Sequence, residues 1–310
     1  MTILRRISAR LLLGVFVLWG AATLTFLALY FTPGDTALII LGGPDARPTA
    51  EALAQVRKDY LLDQPFLVQY LHYFSQLLQG NLGESYRLRM PVTDAIGQQV
   101  GPTAVLAGTA AALALVLTVA IAVLTAQRAP WLRALISGIE VVLAATPSFI
   151  IGFALLIVFS FTLRLVPVGG GDGLVPLILP AFTLALALVG SLSQVLRNEL
   201  EDVLEQPFVL TARARGMRDL SVRVKHALRH AILPTITMSG FVVAALLGGS
   251  VIVETLFSRQ GVGGLMLASV YNKDLPVVLG IVLISAAVYV VVNLVVDILY
   301  TLVDPRVVTS

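Results

Sequence analysis

Cysteine is absent, which excludes a disulfide framework, a thiolate metal site and a cysteine nucleophile. Charge is scarce too: Asp, Glu, Lys and Arg make up 13% of the 310 residues, against about 25% in soluble globular domains. Stretches such as Thr103 to Ala126 and Ile232 to Val253 carry no charge at all. Only three lysines occur (Lys58, Lys225 and Lys273), and none follows a glycine. A GxxxxGK phosphate-binding loop is therefore excluded, and any ATP hydrolysis must belong to another chain. HExxH and GxSxG are missing, and the long apolar runs hold no histidine. The constellations of a membrane protease or hydrolase are thus absent, and no enzyme activity or catalytic residue is expected. No internal repeat or low-complexity tract is visible, which disfavours a transporter fused from two similar halves.

What remains is apolar. With 57% hydrophobic residues and a mean hydropathy of +0.91, lipid must be the solvent for most of the chain. Runs long enough to cross a bilayer, roughly 20 residues, are expected near Leu11 to Phe31, Thr103 to Thr125, Ile136 to Leu163, Leu174 to Leu196, Ile232 to Val253 and Pro276 to Tyr300. Each is far longer than a barrel strand, and backbone polar groups in hydrocarbon must be satisfied within their own segment. The fold class is therefore an all-α integral membrane bundle with six transmembrane helices. Arg5, Arg6 and Arg10 precede the first run like a signal peptide's basic region. The run is too long for one and ends without a clear cleavage site, so it reads as an uncleaved first span.

Lys and Arg accumulate before the first span, between the second and third (Arg128, Arg133), and between the fourth and fifth (Arg197, Arg213, Arg215, Arg218, Arg223, Lys225, Arg229). These segments should face the cytoplasm, with both termini inside. The cations follow topology; no basic face with interleaved aromatics accompanies them, so nucleic acid is not an expected partner. Thr32 to Pro102 is the one soluble-like piece, with an amphipathic helix expected at Glu51 to Tyr60. The organisation expected is residues 1–31 as cytoplasmic N-terminus and first span, 32–102 as an external subdomain, and 103–310 as a five-helix core.

The stretch Asn198 to His230 is too polar to span. Pro207 suits the first position of a helix and Gly216 a left-handed cap, bracketing a short helix over Phe208 to Arg215. Phe208, Thr211, Ala212 and Arg215 share one face, with Ala212 and Ala214 small enough to let another surface approach. Spacing alone leaves two readings open, a lever between spans or an interfacial helix on anionic lipid.

Glu140, Glu254 and Asp297 are the charges at or near spans, where such residues face a bundle interior or an aqueous cavity. Glu254 is a candidate for the outer mouth or pathway, or else a structural charge; Asp297 reads as structural. His226 and His230 have the i, i+4 spacing of a metal pair but lie among Lys225 and Arg229 without a carboxylate, so no metal site is expected.

Leu210-Thr211-Ala212-Arg213-Ala214-Arg215-Gly216, then His226-Ala227-Leu228-Arg229 and Ile232-Leu233-Pro234, resemble the EAA loop of binding-protein-dependent ABC importer permeases, most closely the dipeptide, oligopeptide and nickel branch. The resemblance covers nearly the whole chain. It includes Thr32-Pro33-Gly34-Asp35, Leu62-Asp63-Gln64-Pro65 with Val68-Gln69-Tyr70-Leu71, and Gly80-Asn81-Leu82-Gly83-Glu84-Ser85. Thr146-Pro147-Ser148-Phe149, Val253-Glu254-Thr255-Leu256-Phe257, Val296-Asp297-Ile298-Leu299-Tyr300 and Asp304-Pro305-Arg306 continue it.

The resemblance implies a type I importer fold in a bacterial inner membrane, with the EAA loop (about 198–230) docking on a cytoplasmic ATPase. Thr211, Ala212, Arg213, Ala214, Arg215 and Gly216 are then the coupling residues. The partners implied are a homologous permease subunit in a heterodimer, two ATPases holding ATP and Mg, and an external solute-binding protein, with no cofactor on this chain. Short peptides are the favoured substrate, with nickel or another small solute as the alternative. An ion-coupled secondary transporter would show ionisable residues at mid-membrane and repeated broken helices, which the sequence does not display. Leu210, His230 and Gln260 depart from the usual Arg, Asn and Pro, which touches the fit to particular partners rather than the fold.

Overall fold

The structure, a computed structural model, describes residues 3–31, 33–41, 48–168 and 173–303, with side chains described for all of these except 3–7, 239 and 297–303. The side chain of Asp297 and the motif Asp304-Pro305-Arg306 lie outside the described residues. Among the described residues the architecture is all-helical, apart from one isolated bridge between Glu84 and Pro91.

In chain order the helices are α1 (Ile3–Tyr30), α2 (Thr36–Ile40), α3 (Ala50–Asp59), α4 (Phe66–Leu78), α5 (Val92–Thr125), α6 (Pro130–Ala145) and α7 (Ser148–Leu155). They continue with α8 (Val175–Leu204), α9 (Pro207–Ala214), α10 (Asp219–Val222), α11 (Leu228–Ala231), α12 (Leu233–Thr237), α13 (Ser239–Leu256), α14 (Val262–Tyr271) and α15 (Leu275–Val303). Wider π-helical turns extend α7 over Leu156–Thr162 and link α10 to α11 over Arg223–Ala227.

Among the described residues, four helical stretches are long and apolar enough to cross a bilayer: Ser8–Tyr30, Val92–Thr125, Val175–Leu204 and Leu275–Val296. The span expected at Ile136 to Leu163 is instead a broken pair, Pro130–Ala145 and Ser148–Thr162, bent by 109°. The cause is local. Pro147 disfavours the helical region for the residue before it, and Thr146 is extended at φ −90°, ψ 122°. The span expected at Ile232 to Val253 is also interrupted, at Met238, where ψ is 0°. Its apolar helix, Gly240–Leu256, falls just short of a full crossing length and is followed by the shorter Val262–Tyr271. Among the described residues, length and composition alone give four crossings, or five with the bent pair taken as one span.

The chain divides into two compact units. One comprises Leu4–Gly101 and Gly264–Val290. Here Thr49 caps α3, accepting from Ala52 N at 3.2 Å, so the amphipathic helix expected at Glu51 to Tyr60 is present one residue earlier. Gln69 donates to the carbonyls of Leu62 (3.0 Å) and Gln64 (2.8 Å), pinning the turn before α4. The Gly80 to Ser85 motif ends in an anchor. Ser85 Oγ donates to the buried Asp274, whose carboxylate also accepts from Tyr86 N at 3.1 Å and Arg87 N at 3.3 Å.

The other unit comprises Met1–Ile3, Pro102–Gly263 and Val291–Ser310. Helix α8 is its centre: 61% of its most apolar window is buried, against 17 to 22% in the other three long stretches. Leu106, Ala110 and Ala114 of α5, Leu184, Leu188 and Leu192 of α8, and Leu246 and Val253 of α13 form one apolar core. Helices α6 and α8 meet at Gly190, where a Cβ would stand 2.6 Å from Ala144 N and 2.7 Å from Glu140 O. Only glycine permits that approach.

Candidate functional site

The segment after α8 folds as its punctuation predicts. Pro207 occupies the first turn of α9, and Gly216 takes a left-handed φ of +80°. Gly216 N donates to Arg213 O at 2.9 Å and Met217 N to Ala212 O at 3.3 Å, satisfying carbonyls that a helix end leaves unpaired.

Val209 is fully buried in a second apolar cluster with Ala122, Val123, Leu196, Leu200 and Val222, and Ala212 packs against it. Ala212 thus turns inward, although the sequence placed it on one face with Phe208, Thr211 and Arg215. The outward surface carries Phe208, Leu210, Thr211, Arg213, Ala214, Arg215 and Gly216. The Phe208 ring lies 5.2 Å from that of His230.

An ion network holds α9 to the end of α5. Asp219 accepts from Arg213 at 3.0 Å and from Arg223 Nε at 2.7 Å. Arg223 is 3% exposed and its Nη1 donates to Val123 O (3.1 Å) and Ala126 O (2.7 Å), carbonyls at the C-terminal end of α5. A cation there is also favoured by the helix dipole. Partial burial works to raise the Asp219 pKa, but the hydrogen bonds and charges of Arg223 and Arg213 outweigh it and hold the carboxyl below its usual range. The network is therefore intact at neutral pH and is lost only as pH falls below the ordinary carboxylate range.

Arg197, expected among the loop cations, lies inside α8 instead. It pairs with Glu140 at 2.7 Å, each side chain 2% exposed, and donates to Ser137 Oγ at 2.9 Å. Helix α8 continues to Leu204 because a charged turn can stay buried when α6 supplies the counter-charge. One turn on, Glu201 pairs with Arg133 at 2.7 Å and accepts from Gln127 N at 3.2 Å.

Glu254 is fully buried. It accepts from Thr103 Oγ1 at 2.6 Å and from Gly263 N at 2.8 Å, while Val262 N donates to Thr103 at 2.8 Å. Its carboxylate shapes the turn after α13, and a Cβ on Gly261 would lie 2.2 Å from it. Gly261→Ala is therefore expected to lower stability by about 1 to 3 kcal/mol, the range for overpacking. Thermal unfolding of the purified chain reads this out, and an unchanged midpoint would contradict the caged geometry.

His226 and His230 are both exposed, and no group of three metal-binding side chains occurs among the described residues. Sequence reasoning missed Asp219, Thr103 and the special place of Arg223. Asp219 and Arg223 have readable i, i+4 spacing, but nothing in the sequence links Arg223 to the carbonyls of α5.

Residues 114–309 match the family described as binding-protein-dependent transport system inner membrane component, and residues 2–107 match the N-terminal region described for such components. The chain belongs to this family. Among its relatives, the glutathione transport system permease protein of Salmonella typhimurium is 37% identical over 287 residues, covering 92% of this chain and 93% of the relative. The corresponding glutathione permease of Escherichia coli O6:H1 is 36% identical over 305 residues, covering 98% and 99%. A Brucella melitensis protein named for peptide transport is 36% identical over 298 residues, covering 92% and 93%. The expected resemblance to ABC importer permeases is borne out, as is placement in a bacterial inner membrane.

Proposed function

We propose that this permease forms half of the translocation pathway of an ATP-driven importer of short peptides delivered by an external solute-binding protein. The outward surface of α9 is the observation that carries the coupling role: a short helix, exposed on one side, buried through Val209 on the other, and tied through Asp219 and Arg223 to the end of α5. In this reading α9 lies on the cytoplasmic side and seats in a cleft of an ATPase that binds ATP and Mg. Closure of the ATPase pair presses on Phe208, Thr211, Ala214 and Arg215. Arg223 and the apolar cluster transmit the displacement to α5 and α8. The broken α6–α7 and α12–α13 segments complete six crossings in the full assembly, with a homologous permease subunit supplying the other half. Glu254 serves by holding the turn after α13 in shape on the external side. The names of the glutathione and peptide relatives support the peptide substrate.

The test is mild-detergent purification of the tagged chain from its native membrane, mass spectrometry of what stays bound, and uptake by the reconstituted complex of labelled leucyl-leucine, glutathione and Ni²⁺. A second permease, P-loop ATPases and ATP-dependent uptake of leucyl-leucine or glutathione are expected. ATP-dependent uptake of Ni²⁺ alone would overturn the peptide assignment, and a chain recovered without ATPases would overturn the coupling role.

A further inference from the structure

Helix α8 opens to opposite sides in its two halves. In the first half the open side is apolar, with Ile178 and Phe182 exposed. In the second it is polar: Ser191 and Gln194 are half-buried, and Asn198 and Asp202 are exposed. Phe182 and Ser191 are nine residues apart, about two and a half turns, and so stand on opposite sides of the helix. The rest of α8 is covered. Helices α6, α7, α11, α12 and α13 pack against it. Leu196 and Leu200, across the helix from Asn198, are buried in the second apolar cluster. Ser191 to Asp202 is therefore a narrow polar strip on an otherwise packed helix.

Other polar side chains in the apolar helices of this unit satisfy themselves. The hydroxyls of Thr109, Thr125, Thr146 and Ser193 donate to the carbonyl four residues earlier at 2.6 to 2.7 Å. The carboxamides of Gln194 and Asn198 have no hydrogen-bond partner among the described residues. Each offers an acceptor oxygen and two N–H donors. A hydrocarbon core takes roughly 20 helical residues, so counted from Val175 it reaches Gln194. An unpaired amide at that depth is costly against lipid. The strip thus faces water or a partner with matching hydrogen-bonding groups. It also runs on to the exposed Asp202, which favours an aqueous path over a helix of the homologous subunit.

We propose that Ser191 to Asn198 lines the inner half of the translocation pathway, with Gln194 and Asn198 hydrogen-bonding the backbone of a short peptide in transit. The proposal rests on the peptide-importer reading. A primary carboxamide carries the same donor and acceptor types as a peptide group. Two of them one turn apart engage a peptide through its backbone, whatever its side chains.

The chain has no cysteine, so Ser191→Cys installs a single, nearly isosteric reporter. The full complex, with its second permease, ATPases and binding protein, is placed in nanodiscs and treated with a charged methanethiosulfonate. Mass spectrometry reads the modification of this chain. Leu135→Cys, on the exposed apolar side of α6, is the lipid-facing control. Ser191→Cys is expected to react about tenfold faster than the control, because the reactive thiolate needs water. Leucyl-leucine with ATP should slow that reaction. Adding Gln194→Leu and Asn198→Leu should raise the peptide concentration for half-protection about tenfold, as two modest hydrogen bonds are lost. Reaction no faster than the control would mean that lipid or a helix of the second permease covers the strip. That result, a rate indifferent to peptide, or protection that survives the double replacement would each overturn the proposal. Leucyl-leucine uptake by the wild-type complex in proteoliposomes is measured alongside. Its absence overturns the peptide reading as well, whereas normal uptake with an unprotected Ser191→Cys overturns the role of the strip alone.

Discussion

Replacing Glu140 by leucine while Arg197 remains will cost about 3 to 5 kcal/mol, because it strands a guanidinium in a site where the cation has lost its counter-charge. The geometry leaves little room for relief. Arg197 is 2% exposed and, among the described residues, its Nη2 reaches only Glu140 at 2.7 Å and Ser137 at 2.9 Å, while its Nε and Nη1 have no hydrogen-bond partner. Water cannot easily enter, since α6 and α8 are in backbone contact at Gly190. The double variant Glu140→Leu with Arg197→Met should recover most of the loss, because an apolar pair of similar volume needs no counter-charge and replacement of buried ion pairs is often neutral. Trp131, near the start of α6, offers a fluorescence reporter for thermal unfolding. Equal midpoints for the single and double variants would mean that the pair does not hold α6 to α8.

Gly216→Val will reduce uptake about tenfold while the subunit still assembles and its partner ATPases still turn over. A left-handed conformation costs a residue bearing a Cβ about 1 to 2 kcal/mol, and about 1.4 kcal/mol is a factor of ten in rate. At Gly216 the penalty is purely conformational: φ is +80°, yet a Cβ there would meet nothing within 4 Å. Gly216→Asn should therefore fall between wild type and valine, since asparagine visits the left-handed region more readily. Strain at this cap would tilt α9 and draw Arg213 away from Asp219 and Arg223, the connection to α5. Comparing uptake with ATP hydrolysis in proteoliposomes separates this from misfolding. Loss of both activities together, or the same loss for asparagine as for valine, would contradict it.

Much of this was legible before any coordinates. The apolar runs, the helix at Pro207 to Ala214 and its glycine cap rest on local rules: hydropathy over a bilayer's width, proline in a first turn, glycine at positive φ. Where these rules meet a competing local rule, the helix breaks. The run Ile136 to Leu163 is predominantly apolar, but Pro147 forces Thr146 out of helix, and a 109° bend interrupts it. At Met238 the interruption sits beside Ser239-Gly240, the kind of small-residue pair at which helices kink.

The site divides in the same way. Thr211 to Gly216 can be found from sequence because the cap and the spacing are contiguous. Arg197 could not be assigned, since an arginine shortly after an apolar run looks like any loop cation until Glu140, 57 positions earlier, is placed beside it. The same holds for Glu254, whose role became clear only when Thr103 and Gly263 closed around its carboxylate.

By itself, then, the sequence determined the solvent, the helical class, the membrane family and the position of the short helix α9, since each is written in neighbouring residues. Tertiary structure decided which charges are buried and paired, which side of α9 faces outward, and that Arg223 clasps the end of α5. Those outcomes depend on residues far apart in the chain meeting at distances of about 3 Å, the range of a hydrogen bond, and no local pattern encodes such a meeting.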